Sequence, residues 1–372
     1  MPSQISRCSV HRPRRDPVFD ALRLLAVVLM VCSHTARLTA PAARSWWAEP
    51  SLMLEPLCQA LFLCLVGVSL ALSWESAQAR GVARWPWLRA QLRRAAELFA
   101  ISVVFFLLER GPCWPHFLLS TGILFIIAGA IVLFAPIVPS RGALAWSAVL
   151  TAGLWSVAMA MDHRELWVLG LNAGNGPLLP TAIHAGFGLT ALLAWRRFGL
   201  RGAIAVVVAA VVAAVSVLVS AGSLQAALDS DWARTSHRLI FQGGGHGLQN
   251  AWDMIQGEPL RKLRVSFFNP KPRMIPLVAA VVVGLYLLLV PARKLLDPIS
   301  TWALAMGRFA LGVYVLHLGL VALPVVLVGR MQAFDAPWQS NGYLLLTLAL
   351  CQLYAVLRTH QQRRRREAAD VG

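Results

Sequence analysis

Asp20, Arg23 and His34 are the ionisable residues of an otherwise aliphatic stretch, DALRLLAVVLMVCSH, at residues 20–34. Arg23 and His34 stand eleven positions apart, which at ~100° per residue is within about 20° of three full helical turns. On a helix they share one face, about 16 Å apart along the axis, and Asp20 lies three residues before Arg23 on nearly the same stripe. A neutral imidazole is the usual general base for drawing a proton from a hydroxyl or amine, and a guanidinium binds phosphate or carboxylate. A base far along a helix from an anion clamp suits a long, phosphorylated cosubstrate. The plainer alternative seats Asp20 and Arg23 among headgroups and His34 at the far interface. Spacing alone does not choose between them, although ionisable groups at membrane depth usually face a bundle interior or a wet cavity.

Further candidates lie downstream. Ser69 and Ser73 are four apart on one face, placed either to hydrogen-bond a cofactor or to pack helices. Arg84, Arg89, Arg93 and Arg94 surround WPWLRAQLRR, an amphipathic approach to an apolar run. They suit either topology or the phosphates of a cosubstrate. Tyr314 and His317 are three apart, deep in a late apolar run, where they line a cavity or merely pack. His184, in PTAIHAGFG, is either a substrate contact or a packed, backbone-bonded histidine. His116 follows a GPCWP turn and reads as interfacial, and MDHRELW at 161–167 reads as a solvated turn. His237 and His246 fall in a glycine-rich connection and read as loop residues.

The elements that must position these groups are membrane helices. Of the 372 residues 58% are hydrophobic and 14% charged, where a soluble domain carries about 25% charged residues. Apolar runs long enough to cross a hydrocarbon core of ~30 Å recur along the chain. Ten spans are expected near 19–39, 52–73, 95–110, 117–138, 143–161, 178–195, 202–222, 274–291, 300–328 and 341–358. The ninth is long enough to tilt or to begin as an interfacial turn. The expected fold class is all-α, a single polytopic bundle over 1–372.

A net charge of +17 would suggest nucleic acid in a soluble protein, but here the basic residues cluster between apolar runs. Arg7, Arg12, Arg14 and Arg15, the group at 80–94, Arg141, Arg196, Arg197, Arg201, Arg293, Lys294 and Arg363 to Arg366 all fall on one side if ten spans alternate. That agreement predicts a basic cytoplasmic N-terminus (1–18), a basic cytoplasmic tail (359–372) and a long extracytoplasmic loop (223–273), with no nucleic-acid partner. The N-terminal segment has the look of an export signal, but Asp20 and Arg23 interrupt the region that would be its apolar core, so a retained first span is expected. The cysteines at 8, 32, 58, 64, 113 and 351 form no metal-ligand pairing such as CxxC and read as small buried hydrophobes.

The Arg–ten residues–His arrangement in a first span resembles the signature of the acyltransferase 3 superfamily of membrane acyltransferases. FLCLVGVSLALSWE (62–75) is similar to the second-span motif of the heparan-alpha-glucosaminide N-acetyltransferase group. GRFALGVYVLHLGLV (307–321) resembles the late-span pattern of the same families, and STGILFIIAGAIVLF (120–134) their middle region. Leu24 stands where these families often carry Gly. The resemblance implies an acetyl-CoA donor reached from the cytoplasm, a carbohydrate hydroxyl or amine acceptor at or beyond the membrane, and no metal. It implies His34 as the catalytic histidine with Arg23 as its partner. Arg89, Arg93, Arg94, Ser69 and Arg308 are then expected on the cofactor, and Asp20, Tyr314, His317 and His184 on the substrate. The expected location is the inner membrane, with room for a homo-oligomer. Two rivals stand beside this reading. One is a transporter using the same polar stripe as a substrate or proton path, against which no matched pair of Gly/Pro-broken spans occurs. The other is a silent membrane scaffold.

Overall fold

The computed structural model describes residues 16–110, 116–119, 121–164, 166, 168, 171, 178–220, 275–299, 302–329 and 332–371. The basic segment 1–15, the GPCWP turn, Glu165 and Trp167 of MDHRELW, the side chain of His116 and the 223–273 connection with His237 and His246 lie outside the described residues.

The helices follow the apolar runs in order. They are α1 (Pro17–Arg37), α2 (Ala48–Met53), α3 (Glu55–Ala79), α4 (Arg84–Arg110), α5 (His116–Leu119), α6 (Ile123–Phe134) and α7 (Ala143–His163). There follow α8 (Leu178–Phe198), α9 (Leu200–Ser220), α10 (Ile275–Leu289), α11 (Arg293–Ile299), α12 (Ala305–Arg308), α13 (Ala310–Val328) and α14 (Pro337–Val371). Among the described residues seven are long and apolar enough to cross a bilayer: α1, α3, α7, α8, α9, α13 and α14. Two shorter apolar helices, α6 and α10, and the half-charged α4 complete a one-to-one match with the ten expected runs. This is a polytopic helical membrane protein.

The ends of the runs differ from expectation for physical reasons. The third begins at Arg84, because WPWLRAQLRR is the first half of α4 itself, its charges outside the apolar span. The second is divided at Leu54, where Pro56 starts a new helix at the tolerated first turn. The ninth opens with turn residues and the short α12 before α13. The last continues past residue 358 as one helix of 35 residues, about 52 Å long, so its arginine-rich end stands clear of a ~30 Å core. Helix α1 is set by Asp16, whose Oδ1 accepts from the Val18 amide at 3.1 Å, and by Pro17 in the first turn.

Side-chain bridges show that the basic segments share one end of the bundle. Arg293 reaches Asp16 at 3.8 Å, Arg196 reaches Glu75 at 3.1 Å, and Arg84 donates to the Pro136 carbonyl at 3.2 Å. Exposed tryptophans divide between the ends: Trp85, Trp146 and Trp302 at the basic end, Trp46 and Trp338 at the other. That is the distribution that two interfacial belts require.

Helix α8 is the most enclosed span, while α7, α9, α13 and α14 turn apolar side chains outward. Between helices in lipid, close packing of small residues replaces the hydrophobic drive. Gly67 of α3 abuts the Ala185 carbonyl of α8, and Gly188 of α8 abuts the Cys64 carbonyl of α3, each with no space for a Cβ. Gly188→Leu is expected to force these helices apart and destabilise the protein by about 1–3 kcal/mol or more, read as an earlier thermal unfolding transition in detergent.

Helix α1 belongs to two packing groups. Phe19, Leu22 and Ala26 join α3, α4, α6, α8 and α10, while Val27, Met30 and Val31 join α12, α13 and α14. The polar stripe of α1 runs along this seam. At the end opposite the arginines, the seam is closed by backbone pairing of distant segments: the Phe334 amide donates to the Leu38 carbonyl and the Ala40 amide to the Phe334 carbonyl, both at 2.9 Å. Ser45 Oγ and Trp47 Nε1 each donate to Asn341 Oδ1 at 2.7 Å.

Candidate functional site

Helical periodicity places Asp20, Arg23 and His34 as their spacing predicts, and the late spans complete their surroundings. Asp20 is 1% exposed. Its Oδ1 pairs with Arg23 Nη1 at 3.0 Å, and its Oδ2 faces Arg308 Nε of α12 at 3.9 Å. That approach depends on Gly307, whose α-carbon lies against the Asp20 carbonyl where no Cβ would fit. Arg23 Nη2 donates to Ser69 Oγ of α3 at 2.8 Å, so one guanidinium ties the α1 carboxylate to the α3 hydroxyl.

Arg23 and Ser69 open onto a cavity of about 120 Å³. Gln91 and Arg94 of α4 give it a polar mouth with them, and Phe62, Leu98, Ile127 and Leu311 are among its apolar walls. Leu98 continues the α4 stripe of Gln91 and Arg94 at i+4 and i+7 spacing, the face a helix turns inward. Arg89 and Arg93 fall off that stripe: both are exposed, and Arg93 pairs with Glu97 at 3.0 Å. Ser73 accepts from Trp87 Nε1 and Gln91 Nε2 at 3.1 and 3.2 Å, which holds the mouth of α4 against α3.

Tyr314 lines the same cavity from α13, and its ring meets the His317 ring edge-on with centroids 5.2 Å apart. His317 is fully buried, and its Nε2 lies 3.0 Å from His34 Nδ1. Its Nδ1 lies 2.5 Å from the Tyr314 carbonyl. A carbonyl can only accept, so His317 Nδ1 carries the proton and its Nε2 the lone pair. His34 Nδ1 must then donate to His317, which leaves the lone pair of the His34 ring on Nε2. One main-chain carbonyl thus sets the tautomers of two imidazoles, and the second is the more exposed of the pair.

His184 is not brought to this group. It is buried in α8 with Nδ1 2.7 Å from the Pro180 carbonyl one turn earlier, a packed and backbone-bonded histidine. Conversely, the sequence reading passes over Arg37, which bonds Glu55 at the start of α3 in a buried ion pair. Its signal was present: Arg37 follows His34 by three residues and so continues the same stripe. Among the described residues no three His, Cys, Asp or Glu side chains gather as a metal-binding set.

Residues 15–179 match the family model described as heparan-alpha-glucosaminide N-acetyltransferase, catalytic. The match spans less than half the chain and covers α1 to α7, with Asp20, Arg23, His34, Ser69 and Arg94, but not the late helices that carry Arg308, Tyr314 and His317. No curated protein matches the chain. The likeness is to the catalytic part of an N-acetyltransferase.

Proposed function

We propose that the protein is an integral membrane acyltransferase that moves an acetyl group from acetyl-CoA to a carbohydrate hydroxyl or amine. The observation that carries the reading is the continuity from a basic-mouthed cavity, through Tyr314, to an imidazole pair whose second ring presents a lone pair. A cavity of about 120 Å³ has room for roughly four waters. That volume suits an acetyl thioester and leaves the rest of the donor, with its nucleotide, at the mouth, where Arg94 and the neighbouring Arg89 and Arg93 offer charge to its phosphates. Arg23, fixed by Asp20 and Ser69, and Arg308 behind Asp20 keep the inner part of that mouth positive.

In the step itself the acceptor hydroxyl or amine gives its proton to His34 Nε2 as its oxygen or nitrogen attacks the thioester carbonyl carbon. The carbon–sulfur bond breaks, and the departing thiolate takes the proton from His34. The hydrogen bond from His34 Nδ1 to His317 supports the imidazolium that forms between these events. The basic end faces the cytoplasm, where the donor is made, and both termini lie there in the cytoplasmic membrane. The kinship we infer extends to the acyltransferase 3 superfamily through the Arg23–His34 spacing, and the whole chain acts as one domain.

The test is incubation of purified protein with radiolabelled acetyl-CoA and a panel of sugars. Acetyl transfer or acetyl-CoA hydrolysis supports the reading. Absence of both, together with His34-dependent solute uptake into vesicles, overturns it in favour of a transporter. Arg94→Ala is expected to raise the KM for acetyl-CoA about tenfold or more, as loss of a charge-assisted phosphate contact does. Its kcat should change little, because Arg94 stands at the mouth and not at the reacting carbon.

A further inference from the structure

The far side of the imidazole pair carries a second polar group that donor binding does not use. Arg37 follows His34 by three residues on the same stripe of α1, toward the end opposite the basic mouth, so the two side chains leave neighbouring positions on one helical face. Its Nη2 bonds Glu55 Oε2, at the start of α3 just after the α2–α3 turn. The side chains are 15% and 7% exposed, so the pair is sunk below the surface with its arginine edge reaching it. A buried ion pair at best breaks even against an apolar contact, so stability alone is a weak reason for one here. His34 is the more exposed imidazole and His317 the sealed one, and Arg37 is the next polar side chain along the His34 stripe.

We propose that the Arg37–Glu55 pair is the acceptor subsite and that it recognises a neutral polyhydroxylated acceptor, a sugar rather than an acid. The proposal rests on the acyltransferase reading. Glu55 accepts a hydrogen bond from a hydroxyl adjacent to the one acylated, and Arg37 donates to an oxygen of the same sugar. The attacking hydroxyl is thereby held at His34 Nε2. The pair is charge-balanced, so a carboxylate or phosphate acceptor would meet Glu55 repulsion with Arg37 already engaged. The same two side chains offer a neutral diol one acceptor and one fork of donors.

The experiment uses the full-length protein in nanodiscs, acetyl-CoA as donor, and methyl α-D-glucoside and methyl α-D-glucosaminide as acceptor probes, with Glu55→Gln, Glu55→Asp and Arg37→Lys variants. Two rates are followed: acetyl-CoA hydrolysis without acceptor, and transfer as a function of probe concentration. Glu55→Gln is expected to raise the acceptor KM about tenfold or more, with a much smaller proportional change in hydrolysis without acceptor, and Glu55→Asp to recover part of the loss of transfer. An unchanged acceptor KM in Glu55→Gln and Arg37→Lys overturns the subsite. So does a parallel fall of hydrolysis and transfer, which is the signature of a merely structural pair, or wild-type hydrolysis that neither probe accepts from or competes with. A wild-type protein with no acetyl-CoA turnover at all overturns the acyltransferase reading itself, and the subsite with it.

Discussion

His34→Ala is expected to lower kcat for acetyl transfer by about 10²–10⁴-fold, the usual contribution of a positioned general base, while leaving the KM for acetyl-CoA within about twofold of wild type. The separation follows from geometry. The cavity and its arginine mouth are built from α1, α3, α4, α6 and α13 without the His34 ring, so the groups that bind the donor before reaction stay in place when that ring is removed. His317→Phe is the companion variant. It keeps a planar aromatic ring, somewhat larger than imidazole, but deletes both the acceptor for His34 Nδ1–H and the donor to the Tyr314 carbonyl. A positioning role predicts a smaller loss of kcat than His34→Ala and near-silence when added to it, because two residues acting as one unit are not additive. Steady-state kinetics on the two single variants and the double variant decide the matter. Multiplying losses would mean that the imidazoles act separately.

Asp20→Ala should cost the fold more than any other single polar deletion in the bundle, about 3–5 kcal/mol by the precedent of broken buried pairs. Asp20 holds Arg23 at 3.0 Å and faces Arg308 at 3.9 Å, and the two guanidinium side chains are only 18% and 19% exposed. Without the carboxylate, two like charges confront each other where water reaches poorly. Asp20→Asn, which keeps shape and a hydrogen-bonding oxygen, should lose less. Cys58, Cys64 and Cys351 are free and buried, so a thiol-reactive fluorophore added during heating reports the unfolding temperature without an engineered probe. Equal melting temperatures for wild type and Asp20→Ala would show that the pairing contributes nothing to stability.

Most of the helices are legible in the chain because lipid leaves the backbone little alternative: each apolar run must satisfy its own amides, and the arginines between runs mark a common end. The stripe on α1 is legible for the same reason, since 3.6-residue periodicity alone aligns Asp20, Arg23 and His34. Where the reading fails, the information is not local. Nothing near position 34 announces that its partner is 283 residues away. The arginines of α4 look alike as a cluster, yet the helical turn sends Arg94 to the cavity and Arg89 and Arg93 outward. His184 shares its type with His34 and His317 and is satisfied by the carbonyl one turn earlier, a difference of packing that composition does not encode. Arg37 was within reach, hidden only because a lone arginine at the end of a span reads as topology.

Helix α1 is fastened along its length to parts of the chain made much later: Asp16 to Arg293, Asp20 to Arg308, His34 to His317 and Leu38 to Phe334. During synthesis the first span therefore enters the membrane with its final neighbours not yet translated. The Asp20–Arg23 pair, three residues apart within one helix, lets α1 insert as a locally neutral segment and wait. The imidazole pair is assembled only once α13 has been inserted and has brought His317 beside His34, so a nascent or prematurely terminated chain holds His34 without the ring that fixes its tautomer.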